Sequence, residues 1–254
     1  MFGWIRKRTS SPPPTYPDPQ SWEHATGRQR DRAGRSFAEL LARHAPVFQG
    51  PLVVDDDEDV TVRSAQEVAQ RVMVLWAVDM KAEGVDQSNA TRHLDVLNLD
   101  DAVSPKEREF FDDPNPDPGY CQSLVWRLES IWILLWALGC IKKPGWPFGM
   151  CNTKVMVPLL EKSEQNPKFI SKASLRSKSE ILDQRDLTMR IHWAIRDSYL
   201  NGRPLPGNLN WARPDDWLAA DSSAAVGVVE QRHYALNWLC NFMDADWDNV
   251  DTPT

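Results

Sequence analysis

Two stretches of this chain carry groups able to do chemistry. Residues 176–197, RSKSEILDQRDLTMRIHWAIRD, crowd Arg, Asp, Glu and His among Trp, Leu and Ile, and residues 230–242, EQRHYALNWLCNF, echo them. His192 and His233 each follow an arginine closely and precede an aromatic ring. Glu230 and His233 have the spacing of one half of a carboxylate-bridged di-iron site. The other half needs a second Glu-x-x-His, and three residues before His192 stands Met189. Glu180, Asp183 and Asp186 share a helix and offer the paired carboxylates of a glycosidase, but no sugar-binding cleft accompanies them. No GxSxG, GxxxxGK[ST] or GxGxxG occurs, and no Cys adjoins a His.

These gaps favour a polar network over a catalytic set. The reading assigns no catalytic residue, no metal and no cofactor. Instead, Arg127, Glu129, Asp183, Asp186, Arg190, His192, Arg196, Glu230, Arg232 and His233 form a structural network of mutually neutralised groups. Asp186 with Arg190 is a favourable i,i+4 pair, and Arg127 or Arg232 is expected to meet Asp183 or Glu230. The alternative is an enzyme of unknown reaction with a polar site between helices 178–200 and 222–243.

The elements that must position these groups are helical. Four capping boxes, in which a Ser oxygen and a Glu three residues on satisfy free amides reciprocally, mark helix starts at Ser36/Glu39, Ser64/Glu67, Ser104/Glu107 and Ser177/Glu180. Pro105 at the first helical position strengthens the third. Residues 86–98, 120–139, 154–162 and 222–243 carry further helical patterns, and 120–139 reads as the central buried helix, ending at Gly139. Only residues 51–62, PLVVDDDEDVTV, suggest a small β-hairpin. The expected fold is all-α: a proline-rich lead-in over residues 1–35, with five prolines in 9–20, then a single helical domain over 36–254. Twelve tryptophans demand close packing. The pairs Trp132/Trp136 and Trp211/Trp217 read as core and loop packing.

The net charge of −7 is unevenly spread. Residues 1–50 carry +4, residues 51–117 carry −11, and the remainder is neutral. A strongly acidic middle excludes direct nucleic-acid binding and suits a basic protein partner. The partner-binding candidates are Asp55, Asp56, Asp57, Glu58, Asp59, Asp100, Asp101, Glu107, Glu109, Asp112 and Asp113. Cys121, Cys140, Cys151 and Cys240 show no CxxC and read as reduced cytosolic thiols. The longest apolar stretch, residues 131–141, is too short for a bilayer, and MFGWIRKR lacks the apolar segment of a secretory leader. The expected location is cytoplasmic, away from membranes.

The segments SAQEVAQRVMVLW, WRLESIWILLWALG, RSKSEILDQRDLTMRIHWAIRD and VVEQRHYALNWL, with a closing DWDNVDT, resemble an uncharacterised bacterial domain-of-unknown-function family over roughly residues 36–252. The resemblance implies a helical single domain and no particular reaction. More loosely, the chain looks like an immunity protein guarding against a type VI secretion nuclease effector. It would bind and neutralise a cognate toxin, whose phosphate-holding positive site an acidic face can occupy.

Overall fold

The computed structural model describes residues 14–166, 168–203, 205–212 and 222–254. Among the described residues there are helices and connecting segments but no strand. The fold is all-α, and among the described residues no helix is long and apolar enough to cross a membrane.

Its α-helices are α1 (Gly27–Leu41), α2 (Ala65–Ala82), α3 (Gln87–Leu97), α4 (Pro105–Asp112), α5 (Pro118–Val125), α6 (Arg127–Ala137), α7 (Thr153–Glu164), α8 (Lys178–Leu200) and α9 (Ser222–Leu239). Capping boxes open α2, α4 and α8 at Ser64, Ser104 and Ser177, where the sequence placed them. At α1 the expectation fails. The helix starts at Gly27, capped by Thr26 with Gln29, and Ser36 lies buried within it. Thr26-x-x-Gln29 is itself a legible capping box. Of the proline-rich lead-in, residues 1–13 lie outside the described residues, as does Trp217.

The order of packing runs α3–α2–α6–α9–α8–α1, with α5 also against α2. All of α6 from Leu128 to Ala137 is buried, as is α2 from Val68 to Asp79 apart from the half-buried Gln70. These two helices anchor the main core with Leu236, Leu239 and Trp238 of α9. A second core joins Phe37 and Leu40 of α1 to Ile191 and Ile195 of α8 and Val229 of α9. The expected helix 120–139 is two helices. The Glu129 N–H bonds the Trp126 carbonyl, a tightened turn that separates α5 from α6. The last helix stops at Leu239, short of the expected 243.

The hairpin expected over 51–62 does not form. Its carbonyls are satisfied by side chains of neighbouring helices. Gln29 donates to the Val54 carbonyl, Lys178 to those of Asp57 and Val60, and Arg190 to that of Leu52. Long cationic donors therefore do what a partner strand would do for this β-branched segment. After α9 the chain reverses, and residues 245–252 return along the body, held by Arg63 at the Ala245 carbonyl and by Asn237 at the Asp251 carbonyl.

At one glycine α9 closely approaches the residue that precedes α6. A Cβ on Gly227 would lie 2.7 Å from the Trp126 ring. Alanine there gains about 1 kcal/mol of helix propensity but must displace a partly buried indole, an overpacking cost of about 1–3 kcal/mol. Gly227→Ala is expected to lower the urea midpoint. Gly34→Ala within α1, where an added Cβ meets nothing within 4 Å, is expected to raise it. Denaturant unfolding of the two variants checks the pair of signs.

Candidate functional site

The polar helix α8 presents different groups to two neighbours. Toward α1, Asp186 receives the Arg190 guanidinium at 2.8 and 3.0 Å and the Ser36 hydroxyl at 2.6 Å, all three buried. One turn earlier, Asp183 is shared by Arg32 at 3.1 Å and Arg35 at 2.7 Å. An open groove of about 220 Å³ runs between α1 and α8, with Trp136 and Leu187 among its apolar walls and Arg35, Glu39, Glu180 and Gln184 about it. Its carboxylates are already engaged: Asp183 as above, Glu39 by Arg43, and Glu180 by Ser177 and Arg176.

Toward α9, α8 contributes Arg185 and His192. Arg185 donates to Asn237 at 2.8 Å and reaches Asp55 at 3.4 Å. The His192 and His233 rings meet edge to face, with their Nδ1 atoms 3.0 Å apart. One Nδ1 must donate and the other accept, so a single proton lies between them. Burial first, then Arg196, lowers the His192 pKa to about 4. Burial, His192 and Arg185 hold His233 well below its ordinary value. The pair is neutral at physiological pH, and neither the α1–α8 groove nor the small chamber beside Arg127 reaches it. Among the described residues, no group of three or more His, Cys, Asp or Glu is placed to hold a metal ion.

A third cluster joins α6 to α9. Glu129, with no exposed surface, accepts Arg232 at 2.9 Å and the Cys151 N–H, while Arg232 also holds the Pro144 and Gly145 carbonyls. Burial raises the thiols of Cys151 and Cys240, the latter to about 11, which leaves them protonated and poorly nucleophilic.

The buried polar groups thus fall into three separate clusters, in which Asp186 pairs with Arg190 as expected while the long-range partners differ. Asp183 meets Arg32 and Arg35 rather than Arg127 or Arg232. Arg127 stacks over Tyr234 and Trp247, at the edge of a chamber of about 40 Å³ lined also by Lys106 and Tyr120. Arg196 and Glu230 are exposed. Sequence reasoning missed Arg32, the buried pair Arg71–Glu107 at 2.7 Å, and Asp79. Asp79 was visible as the one acid closing the apolar run Val72–Val78. It is buried, its Oδ1 has no hydrogen-bond partner, and burial with Glu83 nearby pushes its pKa up to about 7.

The expected partner-binding acids divide. Asp55 reaches Arg185, Asp56 and Glu58 bind Arg28, and Asp57 binds Arg32 at 2.5 Å. The Thr26 hydroxyl first, then the Asp57 N–H and Arg28, lower the Asp56 pKa. Of this run, Asp55, Glu58 and Asp59 remain exposed. Glu107 is buried against Arg71. Asp100, Asp101, Glu109, Asp112 and Asp113 are exposed, joined by Glu83, Asp86, Asp95 and Asp117, with Val85, Val96 and Tyr120 exposed among them. Lys81 clasps the carbonyls of Phe110, Phe111 and Asp113, bringing the end of α4 to the end of α2.

The histidine pair and Asp79 give stability opposite pH dependences. A histidine with depressed folded pKa binds its proton more readily when unfolded, so stability rises with pH between about 4 and 6.5 and is lost on acidification through that window. Asp79 holds its proton more tightly when folded, so its contribution falls as pH rises from about 4 to about 7. Replacing both histidines with leucine is expected to flatten the dependence of unfolding free energy between pH 5 and 7. A single replacement destabilises at every pH by stranding the remaining ring nitrogen, at about 1–3 kcal/mol. Asp79→Asn is expected to stabilise by ~2 kcal/mol at pH 8 and by less at pH 5. Urea titrations across this range check both signs.

No curated protein sequence and no solved structure matches the chain. A family model does match, over residues 32–250, which takes in every α-helix from α2 to α9 and all three buried clusters. The chain belongs to the family described as a domain of unknown function, DUF4272.

Proposed function

We propose that this protein is a non-enzymatic binding protein whose partner is a basic protein. In the setting of type VI secretion it would be a cytoplasmic immunity protein that neutralises a cognate nuclease effector. The observation that carries this reading is the acidic surface on α3, α4 and the segments around them. Residues 83–117 hold ten acidic side chains against three basic ones, a net −7 equal to that of the whole chain. All but Glu107 are exposed. A nuclease lines its active site with positive charge to hold phosphates, so such a surface attracts it electrostatically and competes with nucleic acid for it. Val85, Val96 and Tyr120 supply apolar and aromatic contact among the charges, which an interface needs because rim charges act mainly on the association rate.

Pairing favours this surface over the Asp55–Asp59 run. That run sits against Arg28, Arg32, Arg185 and Lys178, and its charge is largely spent inside the molecule. Among the described residues, Asp100 is the one exposed acid of 83–117 with a salt-bridge partner, the exposed Arg108. The enzyme reading has less to stand on, since the polar groups between α8 and α9 satisfy one another.

The test uses a basic nuclease toxin encoded beside this gene and follows association by stopped flow at two salt concentrations. Changing Asp100, Asp101, Asp112 and Asp113 together to Asn is expected to slow association about ten-fold at low salt and to flatten its salt dependence. Neutralising Asp55, Asp56 and Asp57 is expected instead to lower thermal stability, because it takes from the buried Arg32 one of its two carboxylate partners. An unchanged rate and salt dependence for the first set would overturn the assignment of this surface.

A further inference from the structure

The segment that follows α9 is seated like a ligand in a receptor. Trp247, 3% exposed, has the guanidinium carbons of Arg71 and Arg127 over its ring, at 5.0 and 5.1 Å from its centre. The rings of Tyr234 and Trp238 meet it edge-on at 5.1 and 5.4 Å. The next residue, Asp248, places its carboxylate at the N-terminus of α4, where it accepts the Ser104 hydroxyl at 2.7 Å and the Lys106 N–H at 2.9 Å. An aromatic ring in contact with two cations and an anion at a helix N-terminus are both specific forms of recognition. Every group that receives them belongs to α2, α4, α6, α9 or the residue capping α4.

The connection that returns this strap to the body is strained. Asn241, Met243 and Asp244 have φ of 50°, 56° and 54°, so three of four consecutive residues are left-handed and none is glycine. Asparagine and aspartate tolerate this conformation, whereas for a residue such as methionine it is strained. The Met243 side chain is 78% exposed, so packing of that side chain does not impose its backbone conformation.

We propose that the strap, residues 245–254, exchanges between two copies of this chain. In the exchanged pair, the turn at 241–244 opens to an extended hinge and each Trp247–Asp248 docks on the partner copy. The contacts are conserved in the exchange because the receiving groups all lie on the body. The left-handed strain is released in both chains, and short strained hinges favour this outcome. Since only the hinge differs between the two states, the monomer prevails in dilute solution and the dimer grows with concentration.

Light scattering coupled to size exclusion, on the full chain from micromolar to millimolar concentration, is expected to show a dimer fraction that rises with concentration. Met243→Gly relaxes the closed turn in both chains and is expected to weaken dimerisation about ten-fold. Deleting Met243 and Asp244 removes the reversal and is expected to give a dimer at all concentrations. Lys106→Cys with Asp248→Cys then identifies the contact. Oxidation of the dimer fraction is expected to yield a covalent dimer on a non-reducing gel. A monomer at every concentration, or a dimer whose new disulfide stays within one chain, overturns the proposal.

Discussion

The ion pair between Glu129 and Arg232 is the constraint on which the centre of this fold depends. It lies where α6 crosses α9, with no exposed surface on the carboxylate. Burying two charges is costly, and the cost is offset only when the remaining lone pairs and protons also find partners. Here they do. Glu129 takes the Cys151 N–H, and Arg232 takes the carbonyls of Pro144 and Gly145. The pair therefore sets the α6–α9 register and suspends the irregular segment between α6 and α7, which has no secondary structure to satisfy its own backbone. The close approach of Gly227 to Trp126 fits the same geometry: a spacing fixed by charge leaves no room for a Cβ.

The two other clusters on α8 follow one logic. Asp186 is completed by Arg190, Ser36 and, through Arg190, the Leu52 carbonyl. His192 is completed by His233. Each buried ionisable group of α8 is matched to a neighbour on another element, so the ionisable crowd on α8 consumes itself in holding α1, α9 and the 51–62 segment. A catalytic constellation needs the opposite, a group left free to meet substrate. Asp79 does have an unmet carboxylate oxygen and a pKa near neutrality, yet it is buried in α2 beside the apolar run Val72–Val78 and lines neither the α1–α8 groove nor the chamber beside Arg127.

Helix identity was legible because it rests on local rules. A serine with a glutamate three residues on satisfies amides within one turn, and three of the four boxes read from the sequence cap helices. Ser36 misled because its hydroxyl has a distant partner, Asp186, 150 positions away. The same non-local cause defeated the hairpin, whose carbonyls are taken by Lys178 and Arg190 from α8. The membership of the network was partly legible, since buried ionisable residues in apolar helices must be paired. Its one local pairing, Asp186 with Arg190, was legible too, but the long-range pairings were not, because nothing in a one-dimensional pattern places Arg32 beside Asp183. Charge runs carry the same lesson. Asp55–Asp59 is the densest acidic string in the sequence, yet folding sets it against four cations. The 83–117 acids, more dispersed along the chain, keep their charge at the surface.

That contrast bears on how a surface acquires function. An acidic residue contributes to long-range attraction only to the extent that the fold leaves it uncompensated, so the useful quantity is charge remaining after internal pairing. On this measure α4 has two distinct ends. Its N-terminus is occupied by Asp248 of the strap, whose carboxylate suits the free amides there. Its C-terminus, where Lys81 gathers the carbonyls of Phe110, Phe111 and Asp113, carries Asp112 and Asp113 outward. An exchange of straps would leave the second end untouched while joining two such surfaces in one assembly. A bivalent acidic body holds a multivalent basic partner at higher effective concentration than a single copy does. The strap and the acidic surface are separate features, but through α4 the first would set how many copies of the second a partner meets.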